Sequence, residues 1–289
     1  MGGVFWWSLR AFVTIRSLLT HDLKPTAGFQ NQTLSPLKTD AFLLGEALTH
    51  WFAQTHLKAN VVAPLEHHTG SLVMAAPGSV SPKTMPKYFR NTVALGAKSE
   101  PDFLGFSKTG EVHVLESKGR SGFGPKGLTQ AELNRARNKA LRQVCRIATV
   151  NGRAPVTRTA CVFGFGPQAL IGQITDPPET ERFDYRVELP ALIKQAYAVV
   201  LDPLFERQME LFGRDYLAVE FAPGWRFGVH KAVYERVRAA RDDHGVDVLL
   251  GLLAEFQGEK RFDGDTRRPD GFASVGPDGL ILSSEFEAF

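Results

Sequence analysis

Between residues 100 and 120 the apolar positions fall into two short runs, Phe103-Leu104-Gly105-Phe106 and Val112-His113-Val114-Leu115, with Lys108-Thr109-Gly110 between them. The pattern predicts a β-hairpin. Its three-residue loop needs a left-handed residue at the end, which Gly110 supplies without a Cβ clash. This loop sets Ser107 opposite Glu111, and counting back along both strands brings Asp102 opposite Glu116, with Cβ atoms about 5 Å apart. Strand alternation then places Glu116 and Lys118 on one face and Leu115 and Ser117 on the other.

The flanking sequence predicts a helix before this hairpin and another after it. Leu43, Leu44, Ala47, Leu48 and Trp51 recur at helical spacing across Asp40–His56, with Glu46 at the edge of the stripe and His50 one turn later. Ala59–Glu66 reads as a strand. The neighbouring His67 and His68 would point to opposite faces, which argues against a shared ion. Residues 77–99 are rich in Pro, Ser and Gly and read as a loop or insertion. Thr129 with Glu132 three positions on forms a capping box. It opens a helix with Leu133, Ala136, Ala140, Val144, Ile147 and Ala148 on its buried side, and Asn151-Gly152 marks the exit. Thr157–Phe165 is β-branched and aromatic, a strand.

Asp176-Pro177-Pro178-Glu179 is a natural break. Helical patterns follow near Leu189–Leu204, Val229–Asp242 and Val246–Phe256, and a second hairpin turns at Gly276-Pro277-Asp278-Gly279. Ser284 and Phe286 stand there where Glu116 and Lys118 stand in the first hairpin, so no metal chemistry follows from it. The division expected is an N-terminal helix and connector (1–38), a core (39–175) and a mostly helical α+β C-terminal extension ending in a hairpin (176–289).

Two carboxylates brought this close repel unless a cation lies between them, and a hard divalent metal with oxygen ligands is the usual solution. Mg²⁺, or Mn²⁺ in its place, takes one or two carboxylates and leaves its other positions to water and phosphate. Lys118 beside it would orient the attacking water and neutralise charge on a phosphoryl group.

Pro101-Asp102 followed by Glu116-Ser117-Lys118 at the end of the next strand resembles the motif of the PD-(D/E)XK nucleases. The resemblance covers about Asp40 to Phe165. It implies an α/β fold with a restriction-endonuclease-like core, ordered helix, three strands, helix, strand, and Mg²⁺-dependent hydrolysis of nucleic-acid phosphodiesters. It implies Asp102, Glu116 and the Ser117 backbone carbonyl as metal ligands, with Glu46 as a further carboxylate from the first helix. It also implies a polar residue near the metal on the second helix, where Gln143 stands.

Charge distribution adds to this reading. Arg135, Lys139, Arg142 and Arg146 recur along one face of the second predicted helix, and Glu132 is the only acidic residue from Lys118 to Arg146. Such a ridge, with Arg120 and Lys126 leading into it, is suited to tracking phosphates. Lys83, Lys87 and Arg90, interleaved with Tyr88 and Phe89, would serve both phosphate contact and base stacking. DNA is the substrate expected, with a second copy of the chain or a separate regulatory or ATPase chain as further partners. A P-loop motif is absent. The competing reading is a catalytically silent nucleic-acid- or protein-binding module on the same fold. A role in restriction or anti-phage defence rests on the resemblance alone.

The net charge of +3 over 289 residues is too small to argue for nucleic acid by itself. Two cysteines cannot make a disulfide framework, which fits a reducing cytoplasm. The apolar stretch Met1–Thr20 is interrupted by Arg10 and Arg16, and so lacks the unbroken run of about 20 residues of a spanning helix. It lacks the order of a secretory signal as well and reads as a helix docked on the core, an interfacial amphipathic helix being the alternative.

Overall fold

The computed structural model describes residues 19–20, 22, 24–27, 33–65, 70–74, 100–121, 127–166, 169–177, 183–212, 214–258, 266–268 and 271–285. The expected N-terminal helix, His67, His68, Lys83, Lys87, Arg90 and Lys126 lie outside them.

The chain is mixed α/β. It runs α1 (Leu34–His56), β1 (Ala59–Pro64), β2 (Ser71–Met74), β3 (Phe103–Ser107), β4 (Val112–Arg120), α2 (Gln130–Cys145), β5 (Ile147–Val150), β6 (Thr157–Phe165), β7 (Leu170–Thr175) and β8 (Phe183–Arg186). It continues with α3 (Leu189–Ala196), α4 (Pro203–Glu206), β9 (Glu210–Phe212), β10 (Tyr216–Ala222), β11 (Trp225–His230), α5 (Lys231–Ala239), α6 (Asp243–Gly258), β12 (Thr266–Arg268), β13 (Gly271–Val275) and β14 (Leu280–Glu285).

Among the described residues the strands form three sheets. The central one has the order β1-β3-β4-β6-β7, with β4 and β6 parallel and the other pairs antiparallel. A small sheet has the order β2-β8-β5, and a larger one, β12-β13-β14-β11-β10-β9, belongs to the C-terminal half.

Alternation along the central strands divides the apolar side chains between two helices. Val61, Leu104, Val114 and Val162 face α2 through Leu133, Ala136 and Ala140. Val62, Phe103, Leu115 and Cys161 face α1 through Ala53. Burial on both faces explains the unbroken apolar runs in β1 and β3.

α1 begins at Leu34, six residues ahead of the expected start, and its stripe is rotated. Trp51 is 52% exposed, whereas Ala41, Gly45, Thr49 and Ala53, four residues apart, are buried. The reason is a close backbone approach. A Cβ on Gly119 would lie 1.7 Å from the Ala41 carbonyl oxygen, and one on Gly45 would lie 2.5 Å from the Gly119 nitrogen. Small residues set α1 down on β4, and Trp51 turns outward while Leu43 and Leu44 stay buried.

α2 has the expected capping box in both halves: Thr129 Oγ1 accepts the Glu132 N–H, and Glu132 Oε2 accepts the Thr129 N–H. It stops at Cys145, earlier than its apolar pattern predicts. Ile147-Ala148-Thr149-Val150 is a fully buried strand paired with β8, because tertiary pairing overrides the helical spacing. The left-handed Asn151 and Gly152 turn the chain after β5 and not after the helix.

The expected boundary at residue 176 does not separate two cores. β8 lies beyond it yet pairs with β2 and β5, and one apolar cluster joins Leu104, Val114 and Leu133 to Leu192, Val229 and Leu249.

Candidate active site

The β3–β4 register follows the apolar pattern, with Phe103 opposite Leu115 and Phe106 opposite Val112. The Ser107 N–H donates to the Glu111 carbonyl at 3.0 Å, and Gly110 has φ +73°. Continued by two residues, this register sets Asp102 against Glu116 and Pro101 against Ser117. Proline has no N–H to give to the Ser117 carbonyl, so the ladder ends there.

Side chains take over where the ladder stops. Asp102 Oδ2 accepts the Ser117 N–H at 2.8 Å, and the Asp102 N–H donates to Glu116 Oε2 at 3.1 Å. The Asp102 carbonyl accepts the Leu65 N–H at 2.9 Å, which ties the same residue to the end of β1. The Lys118 ammonium donates to the Ser117 carbonyl at 3.1 Å, contacts Glu116 Oε1 and lies 3.7 Å from Asp102 Oδ2. The three side chains expected to act together therefore do meet.

Glu116 is fully buried, whereas the side chains of Asp102 and Lys118 keep 21% and 17% of their surface exposed. Water reaches the site past these two. Burial pushes the Asp102 carboxyl up, while the Lys118 charge and the Ser117 N–H draw it back. Burial likewise lowers Lys118, against the pull of Asp102 and with the repulsion of Lys139 and Arg120 added. Lys139 acts on both groups, so α2 brings positive potential to the same patch.

Two carboxylates and a strand-end carbonyl are hard oxygen donors, and Lys118 now occupies the cationic place between them. The set fits Mg²⁺ or Mn²⁺. Among the described residues no group of three or more His, Cys, Asp and Glu could enclose an ion, so the remaining positions would fall to water and substrate.

Glu46 is buried at 4% exposure. It follows Gly45, which packs on the Lys118–Gly119 backbone, and precedes by one turn His50, whose ring meets Phe103 edge-on at 4.9 Å. Its helix lies on the sheet face opposite to that of Glu116 and Lys118, and Glu46 is not gathered into one cluster with Asp102 and Glu116. Gln143 reaches the strand entering the site: its Nε2 donates to the Glu100 carbonyl at 3.0 Å, and its Oε1 is buried without a hydrogen bond.

The basic ridge is shorter than the spacing predicts. Arg135 and Lys139 are exposed, and Arg142 is half-buried. Arg146 caps the helix at 8% exposure, with its guanidinium 5.2 Å from the centre of the Phe183 ring. It faces the small sheet and not solvent, because β8 covers the last turn of α2. Arg120 is exposed at the end of β4. Sequence reasoning passed over Pro101 as a ladder terminator, although its place before Asp102 was a readable signal. It also passed over Glu100, whose carbonyl is held by Gln143 from α2.

No family model, curated protein or solved structure matches this chain.

Proposed function

We propose that the protein is a divalent-metal-dependent nuclease with a restriction-endonuclease-like core and DNA as its substrate, acting in the cytoplasm. The observation that carries this reading is the convergence of Asp102, Glu116 and Lys118 where Pro101 ends the β3–β4 ladder. Asp102, Glu116 and the Ser117 carbonyl would hold Mg²⁺ or Mn²⁺, which when bound supplies Lewis-acid polarisation of a phosphoryl oxygen and lowers the pKa of water.

The chain's own residues do the rest. Asp102 is oriented by the Ser117 N–H, so one carboxylate oxygen has a fixed direction. Glu116 is held rigid and dry. Lys118, partly exposed, meets the scissile phosphate and neutralises the charge that grows on it in the transition state. Lys139 and Arg135 extend the positive surface along α2 for the neighbouring phosphates. Gln143 steadies the entry to β3. Restriction or anti-phage defence is the setting we assign to such an activity.

The test is incubation of the purified chain with plasmid, linear duplex, single-stranded DNA and RNA, with Mg²⁺, with Mn²⁺ and with chelator. Cleavage should need the metal and vanish in Asp102→Asn and Glu116→Gln. Lys118→Ala should lose about 10²–10³-fold in rate with binding retained. DNA binding without cleavage under any metal would instead favour a silent binding module.

A further inference from the structure

The two edges of the central sheet are built differently. β1 carries a bulge at its start, where the register shifts between Ala59 and Val61, and it ends in Pro64; both features discourage a further strand. β7 has neither. Its sequence, Leu-Ile-Gly-Gln-Ile-Thr, is free of proline and charge, and it pairs with β6 in unbroken register, from Ala160 opposite Thr175 to Phe165 opposite Leu170. Among the described residues no strand pairs with its outer edge. A regular, neutral edge of this kind is a template for another strand.

Gly172 and Ile174 lie opposite Phe163 and Cys161, on the face covered by α1, and both are exposed, Ile174 at 42%. Gln173, between them, lies opposite Val162 on the α2 face, and its Oε1 is buried with no hydrogen bond. A buried amide oxygen of this kind needs a donor. A second β7, antiparallel about a two-fold axis at Gln173, supplies it. The two Gln173 side chains then stand directly opposite each other, with Cβ atoms about 5 Å apart, and their amides pair. Ile174 of each copy falls opposite Gly172 of the other, an exposed apolar side chain against a glycine backed by the Phe163 ring. Self-pairing sets no like charges together, because β7 has none.

We infer that β7 is an interface between two copies of this chain, joined antiparallel about a two-fold axis through Gln173 into one continuous sheet. Such an axis stands perpendicular to the sheet and keeps both α2 faces on the same side. Lys118 lies opposite Val162, and Val162 opposite Gln173, so one row crosses the sheet from Lys118 through the axis to Lys118 of the second copy. Five strand spacings separate the two lysine positions, about 24 Å at about 4.8 Å each. On the nuclease reading, on which this last step rests, the paired sites face one duplex from one side and cut both its strands in a single encounter.

Sedimentation velocity over a broad range of concentration tests the interface on the full chain, on Gln173→Glu, on Gln173→Lys and on an equimolar mixture of the two variants. The native chain should be a dimer. Each variant alone sets like charges opposite each other and should associate at least about 100-fold more weakly. The mixture pairs Glu with Lys across the axis and should recover the dimer. Ile174→Lys, at an exposed position, should be monomeric too and serves if thermal melts show a Gln173 variant unfolded. A monomeric native chain, variants that dimerise as the native chain does, or folded Gln173 variants that stay monomeric when mixed would overturn the inference.

Plasmid cleavage with Mg²⁺ keeps the two readings apart. The native chain should convert supercoiled plasmid directly to linear, either Gln173 variant alone should accumulate nicked circles, and the mixture should restore linear product. A native dimer and a rescued mixture with no cleavage would leave the interface standing and sink the nuclease reading. Cleavage by a native chain that is monomeric at every concentration would sink the interface and leave the nuclease reading standing.

Discussion

Asp102 Oδ2 accepts the Ser117 backbone N–H at 2.8 Å, in the place where a strand neighbour would otherwise bond. A proline opposite Ser117 has no N–H to give, which leaves the Ser117 carbonyl to the Lys118 ammonium, while the Ser117 N–H goes to the Asp102 carboxylate.

Pro101→Ala restores an N–H at that point. The ladder should lengthen by one bond, and the Ser117 carbonyl should be lost to Lys118. Metal-dependent cleavage should fall while unfolding free energy changes by less than about 1 kcal/mol. A metal titration of activity beside a denaturant melt checks this, and unchanged cleavage would show that the free carbonyl has no role.

Gly119→Ala forces a methyl into the Ala41 carbonyl of α1, and neither backbone can yield locally. Destabilisation of at least about 1–3 kcal/mol is expected from such overpacking. Denaturant unfolding measures it. Gly110→Ala, at the open hairpin tip with φ +73° and no atom within 4 Å of the added methyl, should cost only the backbone strain, of about 1–2 kcal/mol.

The α2 face separates two kinds of arginine. Removing charge at exposed Arg135 and Lys139 should weaken DNA binding across sequences and reduce the salt slope by about one unit per lost contact. Arg146→Met should leave that slope unchanged, because its guanidinium is buried against the Phe183 ring. Binding isotherms at four salt concentrations decide, and a flatter slope in Arg146→Met would return Arg146 to the phosphate-contacting set.

Two partly buried groups should tilt stability against pH in opposite directions. Burial lowers the His50 pKa from 6.5 to about 4, so below 6.5 the unfolded chain takes up the proton first. His50 therefore contributes stability above 6.5 that is lost as pH falls toward 4. Asp278 accepts the Leu280 N–H at 3.1 Å and faces Gln54 Nε2 at 3.5 Å, and burial raises its pKa from 3.8 to about 6. Its contribution is full below 3.8 and is lost as pH rises through 6. Chemical denaturation from pH 4 to pH 7 should rise more steeply in Asp278→Asn and less steeply in His50→Gln than in the native chain. Parallel curves for all three would remove both assignments.

The sequence by itself determined what is local or what alternation forces. The apolar runs and Gly110 set the hairpin register, and with it the meeting of Asp102, Glu116 and Lys118. Thr129 and Glu132 set the start of α2 through side-chain capping that spans three residues. Tertiary structure decided everything carried by partners far along the chain. Trp51 turned outward because Gly45 and Gly119 let two backbones touch. Ile147–Val150 became a strand, and Arg146 left the ridge, because β8 arrives from beyond residue 176 to pair with one and stack on the other. Such outcomes follow from which surfaces bury each other, and periodicity along one segment carries no record of the segment that will cover it.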